Sequence, residues 1–120
     1  MLRERASESA HFVVNYSAFF FLFMTRLIQG SDGLQLLENY ANNALAIARA
    51  HDKELTEKYL DNENALTEHA WRMGSMGRKI VEMKEQVAKL KRTDTPALRL
   101  EALATMAYLE AQFKAMSCHL

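Results

Sequence analysis

Two columns of mostly apolar residues, each repeating every seven positions, run together from Leu34 to Leu90 and constrain the fold more than any other feature of this sequence. The first column is Leu34, Ala41, Ala48, Leu55, Asn62, His69, Met76, Met83 and Leu90, and the second is Glu38, Leu45, Asp52, Tyr59, Leu66, Met73, Ile80 and Val87. A seam kept in phase over this length is typical of a coiled coil or of bundle helices. Only 4 glycines and 1 proline occur in 120 residues, which permits long helices. We therefore predict one all-α domain over residues 1–120.

The seam contains two places where a helix can end. Residues 61–64 are mostly poor helix formers, and Gly74 and Gly77 each cost about 1 kcal/mol relative to alanine inside a helix. Farther along, Thr95 followed by Pro96 is a strong start signal for a last helix. We predict an antiparallel bundle or coiled coil of three to four helices, over about 9–29, 33–72, 78–92 and 96–117, with 33–92 as one long helix the alternative.

Local signals at the two ends of the seam support this division. Asp32, followed three residues later by Gln35, resembles a capping box at a helix start. The last helix carries an apolar stripe that suits antiparallel packing on the helix before it. The members of this stripe are Ala102, Met106, Leu109, Phe113, Met116 and Leu120.

The charges along the seam are divided between its two halves. Residues 31–69 carry eight acidic and three basic side chains, whereas residues 70–99 carry eight basic and three acidic ones. A turn between the halves would therefore bring opposite charges together, and such complementarity sets orientation more than affinity. Because the formal net charge of the whole chain is zero, no nucleic-acid partner is expected.

The first predicted helix, about 9–29, is rich in phenylalanine and apolar on two opposite sides. One stripe consists of Phe12, Tyr16, Phe19, Phe20, Phe23 and Leu27, and the opposite stripe of Val14, Phe21, Met24 and Ile28. A helix that is apolar on both sides is either buried all round or embedded in lipid. The pattern therefore predicts a core helix, or one that docks into a partner or a second copy.

A membrane-anchored coiled coil is the alternative reading of this helix. A span needs about 20 predominantly apolar residues, and residues 10–28 are interrupted by His11, Asn15, Ser17 and Arg26. Cys118 is the only cysteine, so no internal disulfide is possible, which fits a reducing compartment. We therefore expect a cytoplasmic protein, with a membrane location less favoured.

No catalytic, cofactor or metal motif is present in the sequence. A di-iron bundle requires Glu-x-x-His pairs, but Leu66 lies three positions before His69 and Ala48 three before His51. No glycine-rich loop has the length and Lys-Ser/Thr ending that phosphate binding requires. We predict a protein that is not an enzyme and that uses neither a cofactor nor a metal ion.

The stretch from His69 to Ser75 resembles the phosphorylatable segment of histidine-phosphotransfer domains. In that family an apolar residue and a base follow the histidine at the second and third positions, as Trp71 and Arg72 do here. Gly74 and Ser75 stand one residue later than the glycine and serine of the family pattern. The resemblance implies a four-helix bundle that carries a phosphoryl group on an exposed His69.

The leading functional hypothesis is a helical protein–protein interaction module, such as an adaptor, assembly factor or small chaperone. It would bind a helix of another chain or a second copy of itself, by helix-in-groove or coiled-coil association. Methionines on the seam add adaptable packing. The predicted partner-binding residues are Phe12, Tyr16, Phe19, Phe20, Phe23, Leu27, Met73, Met76, Ile80, Met83 and Val87.

Overall fold

A computed structural model describes residues 22–118, and this part of the chain is an α-helical bundle without strands. Residues 22–28 are helical and are termed α1. Three longer helices follow: α2 over Gly33–Lys58, α3 over Glu63–Arg92 and α4 over Pro96–Ser117. Each of these three packs against the other two. The predicted all-α fold is confirmed, while the part of the predicted 9–29 helix before residue 22 lies outside the described residues.

The apolar periodicity of the sequence accounts for the core. The first seam column is buried at each apolar position from Ala41 to Leu90, and the stripe of α4 is buried from Ala102 to Met116. Leu120, the last member of that stripe, lies beyond the described residues. The buried apolar residues are Ile28, Leu37, Ala41, Ala44, Ala48, Leu55, Met76, Ile80, Met83, Val87, Leu90, Ala102, Leu103, Met106, Leu109, Phe113 and Met116.

The seam breaks once, at residues 59–62, and not at the two glycines. The side chain of Asn62 accepts a hydrogen bond from the backbone N–H of Ala65 and so caps the start of α3. Gly74 and Gly77 lie in the middle of α3, so the predicted division into 33–72 and 78–92 is wrong, as is the single helix 33–92. The turn brings the oppositely charged halves together, and Lys91 donates to Glu38 across α3 and α2.

The two predicted helix starts have different outcomes. Thr95 caps α4 by accepting from the backbone N–H of Leu98, as its position before Pro96 predicts. Asp32 lies at the start of α2 but makes no side-chain capping bond. Gln35 donates instead to Asn39, one turn later on the exposed face. The predicted capping box is therefore wrong.

Candidate partner-binding surfaces

The seam residues predicted to bind a partner pack inside the chain itself. Met76, Ile80, Met83 and Val87 are buried between α3 and the other helices, and Met73 is partly buried against the same core. Periodicity predicts which residues leave water, but it does not say which chain covers them. In the folded chain these five residues therefore present little or no surface to another protein.

The two stripes of α1 have opposite environments. Ile28 is buried and Met24 packs against the core, so the stripe that contains them faces the bundle. Phe23 and Leu27 belong to the other stripe, and they are 54% and 42% exposed. Phe12, Tyr16, Phe19 and Phe20, the remaining members of that stripe in the sequence pattern, lie outside the described residues.

A single arginine of α4 holds the end of α1 in place. One guanidinium nitrogen of Arg99, Nη1, donates to the backbone oxygen of Ile28 at 2.6 Å and to that of Gly30 at 2.7 Å. The other nitrogens, Nε and Nη2, donate to the two carboxylate oxygens of Asp94. This hydrogen bonding, reinforced by the positive charge, holds the pKa of Asp94 below its ordinary value. We call this group the Arg99 clamp.

A close backbone approach accompanies the clamp. Gly33, the first residue of α2, is buried against the end of α1. A Cβ atom at this position would lie 1.8 Å from the backbone oxygen of Ile28 and 2.8 Å from Nη1 of Arg99. Only glycine fits there without displacing the chain, so the junction between α1 and α2 depends on this residue.

The outer face of α3 carries a surface that sequence reasoning missed. Trp71 is 73% exposed and, with Thr67, Ala70, Gly74 and Arg78, lines a shallow depression of about 320 Å³. A Cβ atom at Gly77 would meet nothing within 4 Å, and one at Gly74 would touch only the Arg78 guanidinium. The sequence signal that could have indicated this surface is the presence of two glycines within a long helical pattern. Close packing within the fold does not require a glycine at either position.

His69 is buried and already bonded. Its ring is 4% exposed, and Nε2 lies 2.8 Å from Oδ1 of Asp52 on α2, while Nδ1 has no hydrogen-bond partner in the described part of the chain. A phosphotransfer histidine must be exposed to meet a receiver domain, so this geometry does not support that alternative. The His51 ring stacks on Phe113 and contributes to packing between α2 and α4.

A second depression, of about 410 Å³, lies between α3 and α4 and is polar. Tyr108, which lines it, shares a hydrogen bond of 2.8 Å with Ser75, and Lys79 lies over the Tyr108 ring while it pairs with Glu82. The Ser75–Tyr108 bond joins α3 to α4, whereas the Lys79–Glu82 pair lies within α3, and the buried Oε1 of Gln86, which also lines the depression, has no hydrogen-bond partner in the described part of the chain. Within residues 22–118, no three His, Cys, Asp or Glu side chains are grouped so as to hold a metal ion.

None of the helices described here is both long and apolar enough to cross a lipid bilayer. Compared with protein-family models, with curated proteins and with solved structures, the chain matches none of them.

Proposed function

We propose that this chain is a non-enzymatic helical interaction module of the cytoplasm, which binds an amphipathic helix of another protein or of a second copy. The observation that carries the proposal is the orientation of α1. Its inner stripe is used by the fold, while Phe23 and Leu27 of the phenylalanine-rich stripe stay substantially exposed. Leu22, adjacent to them, is also exposed.

The energetics of burial support this reading. Covering apolar surface contributes roughly 25 cal/mol per Å², and aromatic side chains at the centre of an interface contribute most to binding. An exposed ridge of phenylalanine and leucine on a rigidly attached helix is well suited to enter the groove of a partner helix pair. The Arg99 clamp supplies the rigidity, because it fixes the end of α1 to α4.

The first test is the solution mass of the chain, measured by light scattering over a wide concentration range. We expect a stable multiple of 13.7 kDa for the wild type. The triple substitution Phe19→Ser, Phe20→Ser and Phe23→Ser should leave helicity intact but abolish association. A matched control is Leu60→Ser, which alters an exposed leucine in the turn between α2 and α3.

A second test covers a partner other than a second copy. A photo-crosslinking residue is placed at Leu27 and, as control, at the exposed Val81 on α3. The proposal expects a discrete crosslinked product from position 27 that position 81 does not form. Retention of wild-type mass by the triple variant, together with identical products from the two positions, would contradict the proposal.

A further inference from the structure

The indole of Trp71 projects from α3 on the side opposite the core. It lies about 140° and about 180° around the helix from the buried Met76 and Ile80, given about 3.6 residues per turn. Trp71 is the only tryptophan in the sequence, and most of its surface is in water. Aromatic side chains gain the most when an interface covers them. The outer face of α3 therefore carries one large side chain that the fold itself does not use.

An uncovered hollow adjoins Trp71, centred one turn farther along α3. This is the depression of about 320 Å³ described above, and Gly74 supplies no side chain to fill it. A Cβ atom at Gly74 would lie 3.8 Å from Nη1 of Arg78, so the guanidinium stands beside this glycine. Arg78 has no ion-pair partner among residues 22–118. We call this depression the Trp71 hollow.

We propose that the Trp71 hollow receives Trp71 of a second copy, so that two chains pair through the outer faces of their α3 helices in antiparallel orientation. A two-fold interface requires a patch that is complementary to itself. Trp71 and Gly74 are about 4.5 Å apart along the helix, so a two-fold axis between them brings each indole over the glycine of the other copy. Each indole then also faces the Arg78 guanidinium beside that glycine, which adds a cation–π contact.

The charges on α3 favour a second copy in this orientation. Glu63 and Lys84 are exposed, lie within about 60° of each other around the helix, and form no ion pair with any described residue. They are about 31 Å apart along α3 and cannot meet within one chain. With Trp71 opposite Gly74, Glu63 of each copy comes within about two residues of Lys84 of the other. A parallel pair would align like charges instead, so the complementarity selects the antiparallel dimer.

The area of the contact sets its strength. Two tryptophans bury roughly 300–500 Å² in total, whereas stable interfaces bury about 1,200 Å² or more. We therefore expect a weak dimer with a Kd of about 0.1–1 mM. The contact uses no residue of α1 and is dissociated at the micromolar concentrations at which association through α1 is measured. The inference thus goes beyond the proposed function and does not depend on it.

Trp71 is its own reporter of this contact, because no other tryptophan contributes to the fluorescence of the chain. The emission of the full-length wild type is recorded from about 1 μM to about 1 mM, a range that spans the expected Kd. We expect the emission to move to shorter wavelength and its quenching by iodide to weaken as the concentration rises, because the indole leaves water.

Filling the hollow tests the site. Gly74→Leu places a side chain where the indole of the second copy would lie, and a Cβ atom there touches only Arg78. We expect the Kd to rise at least about 10-fold, so that the emission shift is lost. Gly77→Leu is the matched control, since a Cβ atom there meets nothing within 4 Å and points about 60° farther around the helix. This control should keep the wild-type shift, and urea unfolding verifies that both variants fold.

Charge reversal tests the orientation. Glu63→Lys and Lys84→Glu alone should each raise the Kd at least about 3-fold, because each sets like charges against each other at two places in the dimer. The double reversal restores opposite charges and should return the Kd to within about 2-fold of the wild type. Such recovery cannot arise within one chain, given the distance between the two residues.

Three results would overturn the inference. The first is a Trp71 emission that does not change up to about 1 mM, ten times the lower limit of the expected Kd. The second is an equal shift in the Gly74 and Gly77 variants, and the third is a double reversal that pairs as weakly as the single ones. A wild type that is monomeric at micromolar concentrations yet shows the shift would remove the proposed function and leave this inference standing.

Discussion

The Nε2 atom of His69 lies 2.8 Å from Oδ1 of Asp52, and this pair joins α3 to α2 at a seam position where an apolar residue would be expected. The imidazole is buried, whereas the Asp52 carboxylate is about half exposed and also accepts from Thr56. The second ring nitrogen, Nδ1, is buried without a partner. A buried polar group satisfied on only one side contributes little net stability.

Replacing His69 by leucine should therefore leave the free energy of unfolding unchanged or raise it by up to about 2 kcal/mol. Leucine fills the seam, and Asp52 remains solvated by water. Asp52→Ala should instead cost about 1–3 kcal/mol, because it leaves both ring nitrogens of a buried histidine unpaired. Urea unfolding of both variants checks this, and a leucine variant destabilised by more than 2 kcal/mol would contradict it.

Asp94→Asn tests the Arg99 clamp through pH. Folding lowers the pKa of Asp94 from its ordinary value of 3.8, mainly through the hydrogen bond from Arg99. A lowered folded-state pKa means that the stabilisation is fully present above about pH 4 and is lost as pH falls through the folded-state pKa. The wild type should therefore be more stable than the variant near neutral pH, with the gap closing in acid. The urea midpoints of the two proteins, measured from pH 7 to pH 2.5, give this comparison. A difference in midpoint that grows as the pH falls would contradict the prediction.

Two glycine-to-alanine substitutions should act in opposite directions. Gly33→Ala places a Cβ atom 1.8 Å from the Ile28 carbonyl oxygen and should cost about 1–3 kcal/mol or more through overpacking. Gly77→Ala meets nothing within 4 Å and should add up to about 1 kcal/mol, because alanine has the better helix propensity. Thermal and urea unfolding of both variants tests the pair, and loss of stability in the Gly77 variant would contradict the open surface of α3.

The helix starts offer a matched set of three alanine substitutions. Asn62→Ala and Thr95→Ala each remove a side-chain bond to a backbone N–H, and each should cost about 1 kcal/mol. Asp32→Ala is the control, since its side chain makes no capping bond, and it should change stability by less than about 0.5 kcal/mol. Equal losses at all three positions would show that these bonds are not what stabilises the helix starts.

Much of the fold could be predicted because the spacing of the apolar residues indicates which side chains are buried. The apolar residues of the first seam column from Ala41 to Leu90, and the apolar stripe of α4 from Ala102 to Met116, are assigned to the interior by their spacing alone, and they are buried. The helix break was harder to place, because both 61–64 and the two glycines disfavour helix. The structure breaks at the first place, where the Asn62 side chain accepts a hydrogen bond from a backbone N–H in the first turn of α3. The two glycines instead lie inside α3, with buried residues of the same helix before and after them.

The candidate site was less predictable, because spacing does not tell which chain covers an apolar face. Met76 and Met83 were predicted to bind a partner but are covered by the chain's own helices. On α1, the sequence offers two apolar stripes of similar strength. The stripe that faces the bundle is the one whose Met24 and Ile28 meet a core built by later helices, and Arg99, which binds the backbone oxygen of Ile28, lies 71 positions after it, so no local pattern contains that information.

The Arg99 clamp also has a consequence for the order of events during synthesis. Ile28 and Arg99 are separated by 71 positions, and a ribosome that adds about 5–20 residues per second needs roughly 4–14 s to cover that interval. Throughout this time the carbonyl groups of Ile28 and Gly30 have no arginine to bind them, and α2 and the whole of α3 can pair as a hairpin only near its end, once Arg92 has been added. The end of α1 is thus synthesised well before the residue that fixes it, and the junction between α1 and α4 is completed only when the first turn of α4 has been made.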